Sequence, residues 1–210
     1  MKNINARREI YFSFSELFKP PIPGTAPQIS DGVFKRAMDG WLESSDSALR
    51  FPPAPFPHCD SGEAFYRALQ DEYIELFEGP FPPYWPLAES LYQAWDSSGK
   101  SIIAAGGELY MGDPAIDMLR RYEASGVKPP QEYSHRPDHL ALELEYFSHT
   151  LEIMSASEQI GFIDTHLGWL DTLMGKIRTG GGDGKYYLVL LELLAGFIKE
   201  DASRLRLLPE

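Results

Sequence analysis

Asp138 and His139 follow Pro137 directly, and Glu143 comes four residues after His139, so three side chains able to bind a proton, a metal or a cationic ligand fall within two helical turns. Residues four apart share a helix face. Proline is tolerated at the first helical position, so the spacing predicts a helix opening at Pro137, with Asp138 and His139 at the positive end of its dipole. His166 is a further histidine on a predicted helix. A metal site from His139, Glu143 and His166 is one reading, and would make the chain a helical metal-binding enzyme. The other is that Asp138 caps the helix while His139 and Glu143 pair with each other or with neighbouring chain. Carboxylate-bridged di-metal bundles need paired Glu-x-x-His motifs. Glu132 to His135 is a single copy in a Pro-flanked extended segment and does not supply them.

Other chemistries find less. There is no Gly-x-Ser-x-Gly nucleophile, and Cys59 beside His58 stands alone in a Pro-rich stretch, so a buried free thiol is expected. Gly180-Gly181-Gly182-Asp183-Gly184-Lys185 lacks the Ser or Thr that would make it a phosphate loop, and reads as a flexible hinge. Guanine-nucleotide binding therefore has no loop to support it. What remains is aromatic: Tyr73, Phe77, Tyr84, Trp85, Tyr92 and Trp95 stand among Asp71, Glu72, Glu75, Glu78 and Glu89. Rigid aromatic area with carboxylates suits an apolar peptide carrying basic residues.

The chain has 210 residues, 43% of them apolar, and a net charge of -12. Residues 59 to 160 hold 18 acidic against 6 basic side chains. That field disfavours nucleic acid and anionic lipid and favours a cationic partner. One cysteine permits no internal disulfide, as expected in the cytoplasm. Arg7-Arg8 invites comparison with a twin-arginine export signal, but the uncharged run after it, Ile10 to Ser15, is too short for a signal core. No run reaches the roughly 18 apolar residues of a membrane span.

The elements that must position these residues are helices. Period 3.6 recurs and alternation does not, so the fold expected is all-α: a compact single-domain bundle of about seven to eight helices over residues 1–210, with N-terminal helices and a Pro-rich connection to residue 58 and a motif-bearing core from 59. Helices are expected over Asn5–Phe18, Ser30–Glu43, Glu63–Phe77, Leu87–Trp95, Asp113–Ser125 with Asp113 as its N-cap, and Pro137–Met154. A seventh, capped by Ser155 with Glu158 or by Ser157 alone, carries an apolar pattern to Met174, and the last runs Tyr186–Ile198.

Four segments resemble the TorD/DmsD/NarJ family of redox-enzyme maturation chaperones. They are Asp71-Glu72-Tyr73-Ile74-Glu75-Leu76-Phe77 leading to Gly79-Pro80; Pro82-Pro83-Tyr84 with Glu89-Ser90-Leu91-Tyr92; Pro137-Asp138-His139-Leu140 with Glu143-Leu144; and His166-Leu167-Gly168-Trp169-Leu170. The resemblance implies an all-helical chaperone, monomeric or a helix-exchanged dimer, without catalysis or a cofactor of its own. Its partner would be the twin-arginine signal peptide, or the apoprotein, of a molybdopterin oxidoreductase, held until cofactor insertion is complete. By the same resemblance, Tyr73, Phe77, Trp85, Glu89, Ser90 and Tyr92 would line or support the peptide groove. Asp138, His139 and Glu143 would form its polar side, with His166 and Trp169 from the last segment. After Glu143 the chain reads Leu144-Glu145-Tyr146-Phe147 where many relatives have Phe-Met, a departure that bears on which enzyme is the client.

Overall fold

The computed structural model describes residues 3–24, 26–56, 61–93 and 112–208. His58, Cys59 and Trp95 lie outside them. The described residues are helical, with no strand beyond one isolated antiparallel bridge between Ala88 and His139. Eight helices have ten residues or more: α1 (Ile4–Leu17), α3 (Val33–Ser44), α4 (Gly62–Tyr73), α5 (Asp113–Ala124), α6 (Leu140–Thr150), α7 (Ala156–His166), α8 (Leu170–Thr179) and α9 (Tyr186–Arg206). A five-residue α2 (Ala26–Ser30) precedes α3, so the helix expected from Ser30 begins at Val33, after a turn with Gly32 at φ 73°. Among the described residues, no helix is long and apolar enough to cross a membrane.

The buried apolar residues form one cluster running from Ile10 to Leu205. Helix α1 lies on α6 and α3, α4 on α2 and α9, and α7 and α8 on α9. Aromatic rings fill the junctions. Phe147 of α6 stacks on Phe162 of α7 at 4.8 Å and meets Tyr11 of α1 edge-on at 4.8 Å. Tyr73, Phe77 and Tyr187 make a mutual edge-to-face triad with centroids 5.2–5.4 Å apart, which fixes α4 on α9.

The largest set of paired polar groups in the core centres on Arg7 and Asp201. The Arg7 guanidinium donates to both carboxylate oxygens of Asp201, at 2.7 and 2.8 Å, and to Gln159 Oε1 at 2.7 Å, while the Tyr11 hydroxyl donates to Asp201 at 2.9 Å. This knot joins α1, α7 and α9. Glu72 of α4 accepts the Tyr187 N–H at 2.9 Å and so satisfies the start of α9, where Lys185 offers no cap of its own.

Several helix limits differ from the sequence expectation. After Tyr73 the chain continues as a π-helical turn, Ile74–Glu78, rather than as α-helix to Phe77. The helix expected over Leu87–Trp95 is, within the described residues, a 3-10 turn at Glu89–Leu91, because Leu87 and Ala88 are drawn into extended pairing with His139 and Leu140. Gly112, not Asp113, holds the N-cap position of α5, and Pro114 sits in its first turn. Helix α6 stops at Thr150, where the Gln159 side-chain amide donates to the carbonyls of Leu151 and Met154 at 3.0 and 2.9 Å and replaces continued helix. The capping box of Ser155 and Glu158 forms as read. The helix it opens ends at His166 instead of running to Met174, and a new one starts at Leu170. The last helix runs on past Ile198 to Arg206.

The run Gly180-Gly181-Gly182 is a packing device and not a free hinge. A Cβ at Gly180 would run into the Trp85 indole, and one at Gly182 into Ile177. Gly181, at φ 94°, makes the turn between them.

Candidate functional site

The Ala88–His139 pairing brings the second and third sequence segments together. The Leu140 N–H donates to the Leu87 carbonyl at 2.9 Å and the Glu89 N–H to the Asp138 carbonyl at 3.0 Å. The Asp138 carboxylate then accepts the Ser90 N–H at 2.7 Å. Asp138 is therefore not the cap of α6 but the clamp of a loop 48 residues away. His139 holds the N-cap position, its Nδ1 accepting the Ala141 N–H at 3.2 Å, and its ring meets Tyr133 edge-on at 4.9 Å. Pro137 stands before the helix instead of opening it, and its carbonyl accepts the Tyr122 hydroxyl at 3.1 Å.

The break between α7 and α8 completes the cluster. Trp169 folds back so that its indole N–H reaches the His166 carbonyl at 2.8 Å and Glu143 Oε2 at 3.3 Å. His166 lies between two carboxylates, Nδ1 at 2.9 Å from Glu89 and Nε2 at 3.1 Å from Asp117. Asp117 also takes the Arg121 guanidinium at 2.6 Å. Glu89, Asp138, Glu143 and His166 are each wholly buried. Burial and the negative charge of Glu89 push the Glu143 carboxyl well above the usual range, and burial raises Asp138.

Two groups face outward from this framework. Tyr92 is half-buried, stacked on Trp169 at 5.3 Å, with the Lys176 ammonium 5.1 Å from its ring centre on α8. Trp85 is half-buried against Gly180, one turn further along the same helix end. Beside Trp85 is an open cavity of about 480 Å3, walled by Ile74, Leu76, Phe81, Pro83 and the three glycines, with Asp71 and Glu75 on its rim. Phe81 is 83% exposed there.

The structure thus brings Glu89, Ser90, Asp138, Glu143, His166 and Trp169 into one neighbourhood, with Tyr92 on its outer side. Trp85 stands at the cavity, and Tyr73 and Phe77 lie in the core triad. The alternative trio of His139, Glu143 and His166 does not assemble as a ligand set. Among the described residues, the ligand-bearing trio within mutual reach is Glu89, Glu143 and His166, while His139 is occupied by its cap. Sequence reasoning missed Asp117, whose only local signal is the i, i+4 pair with Arg121 and which meets His166 across 49 residues of chain.

Burial also makes His139 a pH sensor of folding. Its imidazole is held well below its ordinary value, by desolvation first and the charges of Arg136 and Lys19 second. An unfolded histidine titrates near about 6.5. The unfolded chain therefore takes up this proton first as pH falls. His139's contribution is complete above that pH and is lost below it, at up to about 1.4 kcal/mol per pH unit. Urea titrations between pH 7.5 and 5.5 should show His139→Asn losing less stability over that interval than the native chain; an equal loss would mean that the ring is protonated in the fold.

The fold is all-helical among the described residues, with a buried acid–histidine cluster holding an aromatic loop. The profile of the nitrate reductase delta subunit family matches residues 58–175, and the chain belongs to that family, the NarJ/TorD type of molybdoenzyme maturation chaperone. Neither a search of curated proteins nor one of solved structures found a match.

Proposed function

We propose that this protein is a cytoplasmic chaperone that binds the twin-arginine signal peptide, or the apo form, of a molybdopterin-dependent oxidoreductase, keeps it competent for cofactor insertion and delays export until it is folded. The family match over residues 58–175 carries this reading. The site supports it through chemistry: a leader has a basic segment followed by an apolar one, and the cavity at Trp85 and Phe81 offers apolar walls with Asp71 and Glu75 at its edge. In this reading Trp85 and Tyr92 touch the client. Ser90, Glu89, Asp138, His139, Glu143, His166 and Trp169 hold their loop in place, and Tyr73 and Phe77 support its base from the core. Because Asp138 and Glu143 are wholly buried, the exposed Asp71 and Glu75 take over the contact with the client's arginines.

The test is calorimetric titration with twin-arginine leaders of molybdoenzymes and with their Lys-Lys versions. Binding that weakens in the Lys-Lys peptides is expected, since arginine forms bidentate pairs that lysine does not. Trp85→Ala should weaken the leader by about 10- to 100-fold, as for an aromatic anchor, in a variant that circular dichroism shows to be folded at the titration temperature. Absence of binding to every leader and to the apoenzyme would overturn the proposal.

A further inference from the structure

We infer that Glu89, Glu143 and His166 form an internal site for one divalent transition-metal ion of the Zn2+ or Mn2+ kind. The inference goes beyond the chaperone reading and does not depend on it. One ligand atom from each residue lies within 4.8 Å of the other two, and all three residues are wholly buried. Ligands about 2.1 Å from a common zinc stand about 3.4 Å apart, so the trio needs only a short closure of flexible glutamate side chains.

Three independent features suit an ion. Glu143 Oε1 is buried and has no hydrogen-bond donor, although its companion Oε2 has the Trp169 N–H. A wholly buried acceptor in that state is costly, and a cation is one way to satisfy it. His166 has the arrangement of a metal-binding imidazole: Nδ1 faces the glutamates, while Nε2 faces Asp117, which would fix the tautomer and strengthen the ligand. Charge balance is the third. Glu89 and Glu143 put two carboxyl groups into a space closed to solvent, with Asp138 nearby, and a divalent cation would offset the charge both carry once they act as ligands. The fourth ligand would be water, which imidazole and carboxylate sites commonly retain.

The site also has a structural logic. Its three ligands come from the loop carrying Tyr92, from α6 and from the end of α7, so an ion would tie together the elements that the Ala88–His139 pairing aligns.

The experiment is elemental analysis of the full chain purified without chelator, followed by calorimetric titration of the chelator-stripped chain with Zn2+ and Mn2+, with melting curves at each stage. One equivalent per chain and a raised melting midpoint are expected. Glu143→Gln and Glu89→Gln should each weaken uptake by about 100-fold, and Trp169→Phe, which removes the supporting N–H and part of the buried ring, by about 10-fold. Circular dichroism checks that each variant is folded; if Glu143→Gln is not, Glu89→Gln and Trp169→Phe carry the comparison. No uptake with an unmoved midpoint overturns the inference, and so does uptake that is the same in the folded variants, because the ion then sits elsewhere. Leader titration reads the chaperone function separately, so either idea can fail alone.

Discussion

Replacing Asp201 with alanine is expected to lower the unfolding free energy by about 3–5 kcal/mol, the usual result of leaving one member of a buried ion pair behind. Asp201 is 1% exposed and takes two hydrogen bonds from Arg7 and one from the Tyr11 hydroxyl. Removing it strips the Arg7 guanidinium of its counter-charge, in a place where water cannot supply one. Arg7 keeps Gln159, but a neutral amide oxygen does not balance a full charge. Arg7→Met combined with Asp201→Leu should recover part of the loss, because no buried charge is left behind, while the Tyr11 hydroxyl and Gln159 Oε1 lose their partners. Urea titration of the native chain and the two variants measures this. A loss under about 1 kcal/mol in Asp201→Ala would mean that the knot is open to solvent. As the pair joins helices near opposite ends of the sequence, a single unfolding transition is also expected, consistent with one domain.

Phe147→Ala should cost about as much, 3–5 kcal/mol, by a different route. Phe147 is wholly buried between Tyr11 of α1 and Phe162 of α7, with both ring centroids at 4.8 Å. Truncation removes the transfer energy of the ring, leaves a cavity and deletes two aromatic contacts worth about 0.5–1.5 kcal/mol each. Phe147→Leu refills most of that space and should lose much less. The same urea titration decides between them. Equal losses for Leu and Ala would show that ring geometry, rather than volume, holds α1 on α6. This contact matters beyond stability: α1 lies outside the family-matched segment, and through Phe147 it braces the helix that presents Glu143.

Much of the fold was legible because helices are specified locally. Apolar spacing, the Ser155–Glu158 box and the stop at Gly79-Pro80 each act within a few residues, and each appears in the structure. Misreadings arose where a distant partner outcompeted a local preference. Pro137 and Asp138 have the chemistry of a helix start, but Asp138 satisfies a backbone donor at Ser90, so the cap falls to His139. The pattern through Met174 is helical throughout, yet Trp169 breaks it to give its N–H to Glu143 and to the His166 carbonyl. Arg7, next to Arg8, looks from the sequence like part of a failed export signal; in the fold it is the charged centre of the core.

The sequence by itself determined the helical class, most helix positions, the acidic middle and the membership of Glu89, Asp138, Glu143, His166 and Trp169 in motifs, because these depend on residue types at short spacing. Only the tertiary structure decided what the motif residues do. It turned the polar ones inward as a clamp and a ligand-like trio, left Trp85 and Tyr92 half-buried at the surface, and used Gly180 to seat the Trp85 indole. The physical reason is that burial belongs to the packed molecule: whether a carboxylate meets solvent, a backbone N–H or another carboxylate depends on segments tens of residues away, which no local pattern encodes.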